Sequence, residues 1–180
     1  GFNVIFKSTG AINFAQGEWV MMGGMVAATA YAAHWPLGLA VLCAILVVVA
    51  TALLSERLIV RRIVKPTALA VTLMMIAIAI CSKSLVMLLL GKNPASLPGF
   101  SGSAPVLLLN LRIHPQTFWI VGITCAVMIA AHWFFERTIL GRAMRAAAAQ
   151  PEAAALCGID PKLALALSFG LAAGVGALAG

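Results

Sequence analysis

From Trp19 to Ser55 the chain contains no Asp, Glu, Lys or Arg. That run is much longer than the ~20 residues needed to cross the hydrocarbon core of a bilayer, so it has to fold back on itself. His34-Trp35-Pro36 divides it. Trp suits a membrane interface, and Pro, lacking an N–H, suits the first turn of a helix. The run therefore predicts a helical hairpin over about 14–33 and 37–54. Further apolar runs predict spans over about 67–90, 118–135 and 163–180. Only 9% of residues are charged and 63% are hydrophobic, against about 25% charged in soluble domains. The chain reads as all-α, a polytopic transmembrane helical bundle. It begins and ends abruptly, so residues 1–180 read as a fragment of a single transmembrane domain in a longer chain.

The charges lie between the spans. Ser55–Pro66 carries Arg57, Arg61, Arg62 and Lys65 against Glu56. The 136–162 loop carries Arg137, Arg142, Arg145 and Lys162 against three acids. Gly91–Pro115 is turn-rich, contains the strand-like Val106–Leu111, and has only Lys92 and Arg112 as charges. Basic loops face the cytoplasm, which puts the first two inside and Gly91–Pro115, with the hairpin tip at His34, outside. The net charge of +7 is thereby explained without a nucleic-acid partner. Cys43, Cys81, Cys125 and Cys157 have no metal-finger spacing and read as buried, inert thiols.

No catalytic motif is present: no H-E-x-x-H, no P-loop and no Gly-x-Ser-x-Gly. His34, His114 and His132 sit near span ends and read as interfacial or packing residues. No catalytic and no metal-binding residue is expected. Glycines 170, 174, 176 and 180 superficially suggest a nucleotide loop, but no strand precedes them. The pairs Gly170/Gly174 and Gly176/Gly180 suit close helix approach instead. Lys83 lies roughly 10 Å deep in its span at 1.5 Å per residue and either snorkels outward or lines a polar cavity. Gly1–Gly17 is not a plain span, being interrupted by Asn3, Lys7, Asn13 and Gln16. Asn13 and Gln16 fit a capping box, which starts a helix near Phe14. Glu18 then falls where the helix dipole favours an acid. Broken helices border substrate routes in transporters, so Thr9–Glu18 is a candidate for one.

Within 136–162, Pro151 is placed to start a helix and Gly158 to stop it. A short helix over about Pro151–Cys157 is expected outside the hydrocarbon, too small to be stable unless docked. Its residues Glu152-Ala153-Ala154, three more, then Gly158 spell E-A-A-x-x-x-G. At this point the chain resembles the permease subunits of bacterial ABC importers, whose E-A-A loop forms a coupling helix that docks on the ATPase. Thr9-Gly10-Ala11-Ile12-Asn13-Phe14-Ala15-Gln16-Gly17-Glu18 further resembles the T-G-x-I-N-F-A-x-G-E signature of branched-chain amino-acid permeases. Glu56-Arg57 with Arg61/Arg62, Gly91–Pro98 and Gly141–Ala146 match the same family, in its H-type rather than its M-type form. Two departures stand out: Gln16 where His is common, and Lys83 where a neutral polar residue is usual.

The resemblance implies a multi-pass protein of the bacterial inner membrane, working with a second permease subunit, two cytoplasmic ATP-binding subunits and a periplasmic substrate-binding protein. This chain itself would hold no cofactor, ATP and Mg belonging to the ATPases. Glu152, Ala153, Ala154 and Gly158, with Arg142 and Arg145, would form the coupling surface. Asn3, Asn13, Gln16 and Glu18 are the candidates for the path of a zwitterionic, hydrophobic amino acid. Urea and short amides are the alternative cargo, since importers of both share the family. An ion-coupled secondary transporter would leave the E-A-A helix without a purpose, and an intramembrane enzyme lacks a nucleophile–base pair.

Overall fold

The computed structural model describes residues 14–60, 68–91, 106–108, 111–113 and 115–180. Seven helices appear among them: α1 (Gln16–Ala32), α2 (Leu37–Leu58), α3 (Ala68–Leu90), α4 (Pro115–Arg137), α5 (Ile139–Ala149), α6 (Pro151–Leu156) and α7 (Pro161–Ala179). Between α3 and α4, strands β1 (Val106–Leu108) and β2 (Leu111–Ile113) pair antiparallel, with Val106 opposite Ile113. The class is all-α; this ribbon is a local hairpin. Of the segment read as one strand-like run, Val106–Leu111, the first three residues form β1 and Leu111 begins β2.

Among the described residues, four helices are long and apolar enough to cross a membrane: Leu37–Leu58, Thr72–Leu90, Gln116–Arg137 and Pro161–Ala179. At 17 residues, α1 stands at the lower limit of about 17–25 for a span. Helix ends run past the apolar runs, α2 to Leu58 and α4 to Arg137. Backbone hydrogen bonding does not stop where the hydrocarbon does. Outward-facing leucines and isoleucines cover α3, including Leu69, Leu73, Ile80 and Leu88. In α4 no residue of the spanning window is buried, and Trp119 and Trp133 lie toward its two ends. That surface belongs in lipid, and the chain is a multi-pass membrane protein.

The hairpin turn between α1 and α2 closes as a Schellman motif. His34 N–H donates to Tyr31 O (2.9 Å) and Trp35 N–H to Ala30 O (3.2 Å), with His34 left-handed at φ 62°. Such a position costs a non-glycine residue about 1 kcal/mol. His34→Gly is therefore expected to raise stability by roughly 0.5–1 kcal/mol, read as a higher Tm of the purified full-length protein; a lower Tm would show that the imidazole has contacts that matter more.

The core is the trio α1, α2 and α7, with α3 added against α1. Along α2 the buried stripe is Ala40, Ala44, Val48, Ala52 and Glu56, every fourth residue and mostly small. Trp19, Met75, Ile78, Phe169, Ala172 and Ala173 join it. Gly170 faces Leu53 and Gly174 faces Val49, so α7 runs antiparallel to α2. Gln16 meets Ala172 and Gly23 meets Ala177, so α7 runs parallel to α1. The end of α2 with Arg57 and the α5–α6 segment preceding α7 thus lie at one end of the bundle, as the charge pattern requires.

The two glycine pairs of α7 differ. At Gly170 and Gly174 an added Cβ would sit at an ordinary 3.6 Å from α2 side chains. At Gly176 it would lie 2.8 Å from Gln16 Nε2, and at Gly180 it would overlap the Val20 carbonyl. Backbone stands in the way only at Gly180; at Gly176 the near neighbour is the end of the Gln16 side chain. The expectation of buried thiols is corrected: Cys81, Cys125 and Cys157 are exposed and Cys43 is half-buried. Cys81 and Cys125 sit on the outer faces of spanning helices, where an apolar thiol needs no protein partner.

Candidate functional site

The segment 136–162 holds two helices, where sequence reasoning expected one. Thr138 opens α5 as its N-cap: Oγ1 accepts from Gly141 N–H (3.0 Å) and donates to Phe134 O (2.6 Å). Gly141 permits the fold-back, because a Cβ there would strike the Phe134 carbonyl and approach Phe135 Cα to 2.7 Å. Gly141, Met144 and Ala147 form the buried face of α5. Arg142 and Arg145 are exposed. Pro151 forces Gln150 out of the helical region, to φ −148°, ψ 93°, and α5 ends there.

Pro151 begins α6, as its missing N–H favours, and Glu152 lies in the first turn at the positive end of the dipole. Six residues cannot hold a helix alone. Ala154 is buried against Met144, Ala147 and Ala164, which anchors α6 to α5 and α7. Its far end closes with a second Schellman motif: Gly158 N–H donates to Ala155 O and Ile159 N–H to Ala154 O, both at 3.0 Å. Gly158 takes φ 81°, and Ile159 packs on the same cluster. Cys157 is the C-cap, so the helix is one residue shorter than expected. The E-A-A-x-x-x-G string now has a physical account. The acid matches the dipole, the second alanine is the buried anchor, and the glycine supplies the left-handed cap.

Glu152, Ala153 and Leu156 remain exposed, Leu156 at 90%. A shallow concavity of about 380 Å³ lies between α5 and α6, lined by Ala146, Ala149, Gln150, Ala153, Cys157 and Ile159. Arg142 stands one helical turn before Ala146 on the same side of α5.

The second candidate region is the start of α1. Ala15 is the N-cap and makes no side-chain cap bond. The helix starts two residues later than expected; the expected capping box pairs Gln16 with Asn13, which lies outside the described residues. Gln16 is buried, and its Nε2 donates to Ala172 O of α7 (3.1 Å). Gly176 makes room for this contact. Ala172 lies about eleven residues along α7, roughly 16 Å from its first residue. The N-terminus of α1 therefore sits well inside the depth of the bundle.

Glu18 is partly exposed. At about 100° per residue it points to a different side of α1 from Gln16, so the structure separates the two. Asn3 and Asn13 lie outside the described residues. Lys83 is exposed, off the buried stripe Met75, Ile78, Ser82 and Val86 of α3. His132 is also exposed and lies 3.6 Å from Glu136; His114 lies outside the described residues. Trp19 was not anticipated. It is fully buried, stacked edge-on against Phe169 at 5.8 Å. Only its i,i+3 spacing from Gln16 hints at this in the sequence.

The family described as branched-chain amino acid transport system / permease component matches residues 1–180. The chain is 28% identical, over its whole length, to the high-affinity branched-chain amino acid transport system permease protein LivH of Salmonella typhimurium strain LT2. It is 28% identical to the protein of the same name from Escherichia coli strain K12. It spans 63% of the length of these relatives. No solved structure matches.

Proposed function

This chain belongs to the branched-chain amino acid transport permease family, and on that premise we propose that it is the membrane-spanning subunit of an ATP-driven importer of branched-chain amino acids. The observation that carries this reading is the docked helix α6. It is too short to persist alone, anchored through Ala154, capped at Gly158, and presents Glu152, Ala153 and Leu156 outward. A bundle that only had to seal a membrane has no use for such a knob. A separate motor that grips it does.

In this reading the end bearing α5 and α6 faces the cytoplasm, in the bacterial inner membrane, and two ATPases dock there. Arg142 and Arg145 flank the docking concavity and favour an acidic partner surface. ATPase closure displaces α6 with α5, and the spans follow. The ATPases hold ATP and Mg and perform the hydrolysis. The substrate arrives from a periplasmic binding protein and passes between this subunit and a second permease, along the N-terminal part of α1.

The test is reconstitution of the full-length protein with its partner subunits in proteoliposomes. Labelled leucine should accumulate only with ATP inside the motor compartment and with the binding protein present. Accumulation driven by an ion gradient without ATP would remove the reading. Uptake of urea but not leucine would keep the machine and change its cargo.

A further inference from the structure

The indole of Trp19 is 0% exposed, yet its Nε1–H has no hydrogen-bond acceptor among the described residues. A buried donor left unsatisfied is unfavourable. Phenylalanine would fill much the same space against Phe169 without that cost. The donor is also not alone. Gln16, three residues earlier and on the same side of α1, points its Nε2 donor at Ala172 O. Both side chains lie in the seam between α1 and α7, where Gly23 brings the helices so close that an added Cβ would meet the Ala177 backbone, and where Gly176 leaves the space that the Gln16 amide fills. Ser168, the other buried polar side chain on this stretch of α7, donates to Ala164 O of its own helix (2.9 Å).

We propose that the α1–α7 seam is a carboxylate-binding station, in which Trp19 Nε1–H and Gln16 Nε2–H receive the substrate's carboxylate when the two helices part. The proposal rests on the transport function above and names residues and chemistry for its path. Three features agree with an anion there. Both groups offer N–H donors. The dipole of α1 places positive potential at this end. The station lies inside the bundle's depth, where a carboxylate separated from water needs donors from the protein. Both donors are neutral, so the anion is held without the full charge pairing that would retain it. In the closed seam Gln16 rests on the Ala172 carbonyl and the indole waits without a partner. Opening would give both an acceptor.

The experiment uses the full-length permease with its partner subunits in proteoliposomes. Trp19→Phe keeps an aromatic ring and removes the donor. Maximal leucine uptake at saturating binding protein should fall about tenfold, as expected for one lost hydrogen bond to a charged group. Trp35→Phe, at the outer turn, should leave uptake within about twofold, since a lone interfacial aromatic is replaced by another. A second readout keeps the proposal testable should Trp19→Phe fail to insert. The permease alone is labelled with 5-fluorotryptophan, and the ¹⁹F resonance absent from the Trp19→Phe sample, or shielded from a soluble paramagnetic agent, identifies Trp19. That resonance should shift when leucine-loaded binding protein and ATP are added. Uptake by Trp19→Phe at the wild-type rate, or a Trp19 resonance unmoved by turnover, would overturn the station and leave the importer standing. Absence of leucine uptake by the unmodified complex would instead remove the function on which the station rests.

Discussion

Gly23→Ala should destabilise the protein by about 3 kcal/mol or more, the upper range for overpacking a well-packed interface. A methyl group there would stand 2.6 Å from Ala177 Cα and 2.7 Å from Ala177 O. These are backbone atoms, which cannot rotate aside as a long side chain can. The only relief is to move α1 away from α7, and that costs the packing of Trp19 on Phe169 and the Gln16–Ala172 hydrogen bond. Gly174→Ala is the matching control. Its Cβ would meet only Val49 Cγ2 at 3.6 Å, so stability should hold or rise by up to about 1 kcal/mol from helix propensity. The check is the Tm of both variants of the full-length protein in one detergent. Equal Tm values for the two would show that the helices are not in contact at Gly23.

Ala154→Glu should reduce ATP-dependent leucine uptake by more than about tenfold while leaving membrane insertion intact. The substituted carboxylate would have to enter the cluster of Met144, Ala147 and Ala164, and an unpaired buried charge is far costlier than undocking so short a helix. α6 lies outside every helix that crosses the membrane, so insertion does not depend on it. Ala154→Ser, small and able to donate to its own helix, should retain at least about half the uptake. Wild-type uptake by Ala154→Glu, at equal abundance in the membrane, would show that α6 carries no force.

The spanning helices were legible because each needs only an apolar run of sufficient length with few or no charges, a property of consecutive residues. The turn at His34-Trp35-Pro36 and the helix at Pro151 were legible for a related reason: proline acts on its own neighbours. α5 was less visible. Ile139–Ala149 is rich in alanine, which favours helix everywhere and marks no boundary. Its limits are set by Thr138, by the lack of a side chain at Gly141, and by Pro151 acting backwards on Gln150. The start of α1 was legible only in part. Gln16 has the spacing of a capping residue, but nothing near it in sequence shows that Gly176, 160 positions later, leaves room for its bond to a carbonyl of α7. Trp19 illustrates the same limit. Nothing local distinguishes a tryptophan at an interface from one closed in by Phe169, since the difference is made by a helix at the other end of the chain.

One helix joins the two regions. Ala164 of α7 belongs to the cluster that anchors α6, and Ala172 of the same helix accepts the bond from Gln16. They are about eight residues apart, roughly 12 Å of continuous α-helix without a loop between them. A rod of that length hardly shortens under load. Any axial displacement at Ala164 therefore reaches the Gln16–Ala172 hydrogen bond with almost no slack, and the movement at one end sets the travel available at the other.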